Sequence, residues 1–161
     1  MELARIIISE VNDHQVIYLR ESEPNVERER RKFPILIGFF EANMIKQRIQ
    51  GLMTPRPLTH DLVVNVVEEM DGELEDVFIS ELREHTYFAS LRIRYQGKLI
   101  EVDSRPSDAI AVAVTRQPPL PIYVSEEILD EFTIESASGD LWAGISGDRI
   151  KCYACGHRCN I

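Results

Sequence analysis

The stretch LEDVFISELREHTYFASLRIRYQGKLIEVDSRPSDAIAVAVT, residues 74–115, determines the fold class of this chain. In its first part, apolar and polar residues alternate, which is typical of strands with one face on a core. Glu84-His85 and Gln96-Gly97 interrupt the alternation as turns, so we expect an antiparallel meander. Its three strands are predicted at residues 74–82, 87–95 and 99–104.

The last part of this stretch is predicted to form a helix that follows the third strand. Pro106 suits the first turn of a helix, because the N–H that proline lacks would have no partner there. Residues 107–117 are apolar and rich in alanine. We therefore expect this helix to lie deep in the protein.

The residues on either side supply the other predicted elements. They are a hairpin at 3–11 and 15–21, a strand at 33–38, a helix at 39–52, a helix at 60–70 capped by Thr59, a strand within 118–124, and a helix at 126–132 capped by Ser125. The helix at 39–52 has apolar residues at 40, 44, 45, 49 and 52 on one face. The helix at 60–70 has Leu62, Val63, Val66, Val67 and Met70 on one side.

Together these elements predict an α+β fold with a single domain over residues 1–132. Its sheet is mixed but largely antiparallel, and about four helices pack on it. After Phe132 no periodicity persists, and 133–151 holds three glycines and four serines or threonines. We therefore expect residues 133–161 to form an irregular C-terminal tail.

The charge is acidic overall but unevenly distributed. The formal net charge is −9, which argues against avid non-specific binding to nucleic acid. From Arg28 to Arg56, however, seven basic residues outnumber two acids. This segment is either a basic patch or one of two solvated faces of different sign. If it is a patch, the residues that bind nucleic acid are Arg30, Arg31, Lys32, Arg48 and Arg56.

Several features predict a cytoplasmic protein that is not bound to a membrane. No apolar run approaches the roughly 18 residues of a transmembrane helix. The short apolar stretch at 3–9 lacks a basic region before it and reads as a strand.

Four segments together resemble the bifunctional nuclease family: FPILIGFFEA (33–42), PRPLTHDL (55–62), IEVDSRPSDAIAVAV (100–114) and PIYVSEEIL (121–129). Their order and spacing fit the family across residues 1–132. The resemblance implies an enzyme that hydrolyses both DNA and RNA. It does not extend to the C-terminal tail.

Phosphodiester hydrolysis needs an activated water and stabilisation of charge on the phosphoryl oxygens. Proteins usually supply two or more carboxylates that hold Mg²⁺ or Mn²⁺, often with a basic residue. The candidates in the recognised segments are Glu41, His60, Asp61, Asp103, Arg105 and Asp108. Asp103, Arg105 and Asp108 follow one another from a strand end into a helix start, where phosphate binding is favoured.

Each candidate also has a structural interpretation. Glu41, Asp61 and Asp108 are ordinary acids for the first turn of a helix. Arg105 can simply pair with Asp103 or Asp108. His60 is a possible general acid or base, but it also lies beside a helix start where histidines are often on the surface. Motifs of other enzyme classes are missing, since the chain has no phosphate-binding glycine loop, no G-x-S-x-G and no G-x-G-x-x-G.

The tail carries a separate group of candidate metal ligands. Cys152, Cys155 and Cys159 stand in CYACGHRC together with His157, and C-x-x-C is half of a common zinc site. Four ligands within eight residues would be strained as a complete site. Zinc completed by another subunit, an iron–sulfur cluster and free thiols in an unstructured tail all remain open.

Two functions follow from the sequence. The first is a metal-assisted nuclease acting on DNA and RNA, as a homo-oligomer and in the simplest case a dimer, because exposed strand edges favour association. The second is a non-enzymatic module that binds protein or RNA. The nuclease hypothesis predicts that the basic segment 28–56 shares one cleft with Asp103, Arg105 and Asp108.

Overall fold

The computed structural model describes residues 1–7, 14–22, 31–52, 54–137, 142–145, 149–152 and 158–160. The strands are β1 (Glu2–Ile7), β2 (His14–Arg20), β3 (Lys32–Gly38), β4 (Glu73–Arg83), β5 (Thr86–Tyr95), β6 (Lys98–Ser104), β7 (Ile122–Val124), β8 (Trp142–Ile145), β9 (Arg149–Cys152) and β10 (Arg158–Asn160). The helices are α1 (Phe39–Ile49), α2 (Thr59–Glu69), α3 (Pro106–Thr115) and α4 (Glu126–Ala137).

The first three strands form an antiparallel sheet in the order β1-β2-β3. The strand at 33–38 is therefore confirmed, as is the antiparallel pairing of the two strands of the predicted hairpin, whose residues 8–13 lie outside the described residues. Ile17 and Leu19 on β2 are fully buried, as is Phe33 on β3, because alternate residues of these strands face the core.

The second sheet contains the predicted meander and has the order β6-β5-β4-β7. Strands β4, β5 and β6 are antiparallel neighbours, whereas β7 runs parallel to β4. The backbone turns between the meander strands at Glu84, His85, Gln96 and Gly97, which all have positive φ. The α+β class is thus confirmed, and the described residues within 1–137 form two sheets rather than one.

Helix α3 forms the centre of the core. It lies against α1, α2 and strands β4 and β5, and its residues from Ala109 to Ala113 are buried. The two sheets meet at Tyr87, whose hydroxyl donates a 3.0 Å hydrogen bond to the carbonyl of Pro34 and whose ring lies 5.7 Å from that of Phe33. The expectation of a deep α3 is confirmed.

The apolar faces of α1 and α2 differ from the sequence prediction. In α1, Ile45 is buried, but Phe40 and Ile49 are exposed. Helix α2 packs through Val64 and the half-buried Val67, so the rest of its predicted apolar side faces solvent. Those exposed residues are Leu62, Val63, Val66 and Met70.

The predicted helix at 126–132 is longer than expected, because α4 continues five residues beyond Phe132. The described parts of the tail contain β8, β9 and β10 in a separate antiparallel sheet. In the described part of the chain, no helix is long and apolar enough to cross a membrane.

We expect Phe33→Ala to lower the free energy of unfolding by about 3–5 kcal/mol, because it empties a fully buried site between the sheets. Chemical denaturation measures this loss. Leu36→Ala on the same strand is the control, since Leu36 is 38% exposed. Equal losses in the two variants would contradict this description of the core.

Candidate active site at three helix N-termini

Helices α1, α2 and α3 begin close to one another, and side chains from their first turns make contact. Glu41 lies in the first turn of α1, His60 in that of α2 and Asp108 in that of α3. Arg105 immediately precedes α3. The contacts of α3 with both other helices bring these four residues together, although up to 67 positions separate them in sequence.

Arg105 is the centre of this cluster. Its Nε lies 2.8 Å from Oδ2 of Asp108, and its Nη2 lies 3.2 Å from Oδ1 of the same carboxylate. Nη2 is also 3.2 Å from Oε1 of Glu41. The hydrogen bond to Asp108, followed by the charges of Asp108 and Glu41, raises the pKa of Arg105 above its usual value. Arg105 is therefore a permanent positive charge, and its side chain remains 68% exposed.

Glu41 has room for its carboxylate because residue 38 is glycine. The carboxylate folds back over the start of α1, and a Cβ on Gly38 would overlap its Oε2 atom. Glycine at this position therefore lets Glu41 reach Arg105 while its side chain is only 21% exposed.

His60 approaches the same Asp108 oxygen that Arg105 contacts through Nη2. Its Nε2 is 3.6 Å from Oδ1 of Asp108, which is an ion-pair distance when the imidazole is protonated. The side chain is 15% exposed, and Nδ1 is buried without a hydrogen-bond partner among the described residues. Nε2 is therefore the ring nitrogen that faces the cluster.

Asp61 has a clear structural role beside the cluster. Its Oδ2 accepts a 2.7 Å hydrogen bond from the backbone N–H of Leu58 and also contacts the guanidinium of Arg48. Arg48 is in the last turn of α1 and its side chain is 7% exposed. Asp61 thus stabilises the start of α2 and connects this helix to α1. The predicted cap at Thr59 is wrong, since the capping position is Leu58.

Asp103 lies apart from these contacts. It pairs with Ser90 on β5 and is exposed, and strand alternation directs it to the sheet face opposite that of Val102 and Ser104. The contacts among the described residues join Arg105 to Asp108 and Glu41, and do not include Asp103. Its catalytic role stays a prediction.

Two of the predicted nucleic-acid-binding residues, Arg31 and Arg48, pair with carboxylates in different parts of the described structure. The side chain of Arg31 is 12% exposed and pairs with Glu21, Glu126 and Asp130, which places it beside α4. Arg48 is held by Asp61, near His60. Lys32 and Arg56 are exposed, and Arg30 lies outside the described residues. A cleft shared by the basic segment and Arg105 therefore stays a prediction.

The aromatic side chain of Phe40 is a feature that the sequence interpretation missed. It is 81% exposed and directly precedes Glu41, and the ring of Phe39 meets it edge-on at a centroid distance of 6.0 Å. The apolar periodicity had assigned Phe40 to the buried side of α1. Its position at the first turn, before the helix reaches the core, is the signal that could have distinguished it.

The cluster does not present an open site for a resident divalent metal. Mg²⁺ and Mn²⁺ need carboxylate oxygens directed at an accessible position. Here the guanidinium of Arg105 occupies the space between Glu41 and Asp108. Among the described residues, no group of three or more histidine, cysteine, aspartate or glutamate side chains is arranged to hold a metal. The residues present therefore do not fit such an ion, and a requirement for Mg²⁺ or Mn²⁺ stays a prediction.

The predicted zinc or iron–sulfur site in the tail is not tested. Cys155 and His157 lie outside the described residues. Cys152 ends β9 and Cys159 lies in β10, but the description does not extend to their side chains.

The sequence is similar to one protein family model and to several known proteins. Residues 25–137 match the family model of the bifunctional nuclease domain. An uncharacterised protein from Mycobacterium tuberculosis strain H37Rv is 36% identical over 124 residues, which cover 77% of this chain and 70% of the relative. Bifunctional nuclease 1 from Oryza sativa subsp. japonica is 26% identical over 127 residues, which cover 73% of this chain and 38% of the rice protein.

We expect Asp61→Ala to lower the free energy of unfolding by about 3 kcal/mol, because it leaves the buried Arg48 without this carboxylate and removes the acceptor for Leu58. Chemical denaturation measures the loss. Glu75→Ala is the control. It removes the carboxylate from Arg94 in a solvent-exposed pair, where screening makes the loss smaller. A loss for Asp61→Ala no greater than that for Glu75→Ala would contradict the structural role.

Proposed function

Because the chain belongs to the bifunctional nuclease domain family, we propose that it hydrolyses phosphodiester bonds of DNA and RNA at the cluster of Glu41, His60, Arg105 and Asp108. The observation that carries this assignment is Arg105, a charged and exposed guanidinium held at the meeting point of three helix N-termini. Phosphate groups are stabilised at such a position by charge and by helix dipoles.

Arg105 binds the phosphate in this proposal. Its guanidinium donates to a non-bridging phosphoryl oxygen, and Asp108 and Glu41 hold it in position. As the transition state forms, negative charge increases on these oxygens and strengthens the interaction. Arg105 therefore both positions the substrate and stabilises the charge that develops.

His60 moves the proton. An attacking water gives its proton to Nε2 as its oxygen bonds to phosphorus, and the bond from phosphorus to the leaving oxygen breaks. The carboxylate of Asp108, 3.6 Å away, stabilises the imidazolium that results. The same proton then returns to the leaving oxygen, so the reaction consumes one water and leaves the enzyme unchanged.

The non-enzymatic alternative, a module that binds protein or RNA, is supported by the charge distribution. The chain has a net charge of −9, and Arg31 and Arg48 are both held in ion pairs. Phosphate contacts supply most non-specific affinity for nucleic acid, so these residues add little to a substrate track. A cleavage assay distinguishes the two functions.

We expect cleavage of labelled single- and double-stranded DNA and RNA, and a loss of roughly 10²–10⁴-fold in His60→Gln. Arg105→Gln should lose roughly 10²-fold or more. Arg94→Gln is the matched control, since it makes the same change at an exposed, ion-paired arginine on the sheet. Wild-type activity in both site variants would contradict the assignment of the site, whereas an inactive wild type would favour the binding module.

The same assay with added Mg²⁺, added Mn²⁺ or EDTA tests the metal requirement separately. Loss of activity in EDTA and its recovery with Mg²⁺ or Mn²⁺ would establish that cleavage requires a divalent metal. Arg105 would then have to leave its position between the carboxylates when the ion binds. Unchanged activity in EDTA would assign charge stabilisation to Arg105.

Phe40 supplies a surface for stacking an unpaired base of the substrate. We expect Phe40→Ala to weaken binding to single-stranded DNA by roughly 5- to 150-fold, since stacking on an aromatic side chain contributes about 1–3 kcal/mol per base. Phe40→Trp should retain binding. Leu52→Ala, at an exposed apolar residue beyond the other end of α1, is the control. Fluorescence anisotropy measures all four proteins, and equal affinities would contradict the stacking role.

A further inference from the structure

The guanidinium of Arg105 has hydrogen-bond donors left after its contacts within the cluster. Its Nε and Nη2 atoms face the carboxylate oxygens of Asp108 and Glu41. Among the described residues, all hydrogen bonds and ion pairs of this guanidinium use those two nitrogens. A guanidinium also has two N–H groups on Nη1. Because the side chain is 68% exposed, an anion from solvent can accept hydrogen bonds from these two groups.

The cluster places two carboxylates against one permanent positive charge. The carboxylates of Glu41 and Asp108 approach the guanidinium of Arg105 to 3.2 Å and 2.8 Å. The other arginine beside the cluster, Arg48, is paired with Asp61, and its side chain is only 7% exposed. An anion that reaches Arg105 therefore also comes close to two negative charges. Each further negative charge on that anion is repelled by both of them.

Phosphate esters differ in the charge that they would bring to this cluster. A phosphodiester inside a nucleic-acid chain has two non-bridging oxygens and a single negative charge. A terminal phosphomonoester has one more such oxygen and a charge of about −1.5 to −2 at pH 7. The diester matches one guanidinium with two remaining N–H groups, whereas the monoester brings additional charge toward Glu41 and Asp108.

The side chains that would contact the substrate are open to solvent. The side chain of Arg105 is 68% exposed, and Phe40, which directly precedes Glu41, is 81% exposed. Specificity for a chain end requires contacts to the terminal group that an internal nucleotide cannot make. An exposed guanidinium can contact a phosphate in the middle of a chain, because it does not require the chain to end there.

We propose that this site cleaves phosphodiester bonds inside a DNA or RNA chain and discriminates against terminal phosphomonoesters. This inference rests on the proposed nuclease function and specifies its substrate as an internal diester, with no requirement for a free end. Glu41 and Asp108 determine that specificity. They hold Arg105 in position, and their charges repel a phosphate that carries more than one negative charge.

A covalently closed circle of single-stranded DNA tests whether cleavage requires a chain end. The wild-type chain should open the circle at a rate similar to that for a linear strand of the same sequence. Arg105→Gln, purified in the same way, should lose roughly 10²-fold on both. Cleavage of the linear strand alone would overturn this inference and leave the nuclease function standing. An enzyme that cleaves neither strand would overturn the proposed function, and this inference with it.

Two adenosine derivatives test the discrimination by charge. Adenosine 5′-phosphate and its methyl ester carry the same base and sugar, but the ester is a diester with a single negative charge. Calorimetry should show that the wild-type chain binds the methyl ester roughly tenfold more tightly, because the additional charge of the monoester is repelled by two carboxylates. Equal affinities, or tighter binding of the monoester, would overturn the discrimination.

Glu41→Gln tests whether this carboxylate is the source of the preference. The variant removes one negative charge and retains an oxygen that can accept from Arg105, so the preference for the methyl ester should fall severalfold. Glu75→Gln is the matched control, since it makes the same change at an exposed carboxylate paired with Arg94, and it should retain the wild-type preference. An unchanged preference in Glu41→Gln would overturn the role of Glu41 in specificity.

Discussion

Burial of α3 is the constraint on which the rest of the structure depends. This helix is buried from Pro106 to Ala113 except at Asp108, and it contacts two helices and two strands. Its alanines let neighbouring elements approach closely, so α1 and α2 both pack against it. Because β6 leads into α3 at Arg105, the buried helix also determines where that guanidinium lies. The polar cluster forms where the apolar helix begins.

The sequence predicts α3 and the meander well because their patterns are local and unambiguous. It predicts the environment of α2 poorly for a physical reason. Periodicity shows that Leu62, Val66 and Met70 share a side, but it does not show whether the same chain covers that side. In the structure, Val67 of that side packs against the core together with Val64, which the prediction had not included. Apolar residues that a pattern assigns to the core can therefore lie on the surface.

The candidate site was likewise predictable from the sequence only in part. The resemblance indicates which residues belong to it, but only the packing of three helices shows that Glu41, His60 and Asp108 meet. Within the segment 103–108, alternation on β6 separates Asp103 from the side chains that follow. Asp61 also illustrates how a helix-start acid acquires a second partner, because Arg48 comes from another helix. Long-range contacts of this kind leave no local signal in a sequence.

The ion pairs also shape how a substrate would be attracted. Arg31, Arg48, Arg92 and Arg94 are each held by carboxylates of the same chain. With these cations neutralised and a net charge of −9, long-range attraction of a polyanion is weak. Affinity must then come from contacts at the site, where Arg105 is exposed and Phe40 offers an apolar surface. Few phosphate contacts release few counterions, so such binding depends only modestly on salt.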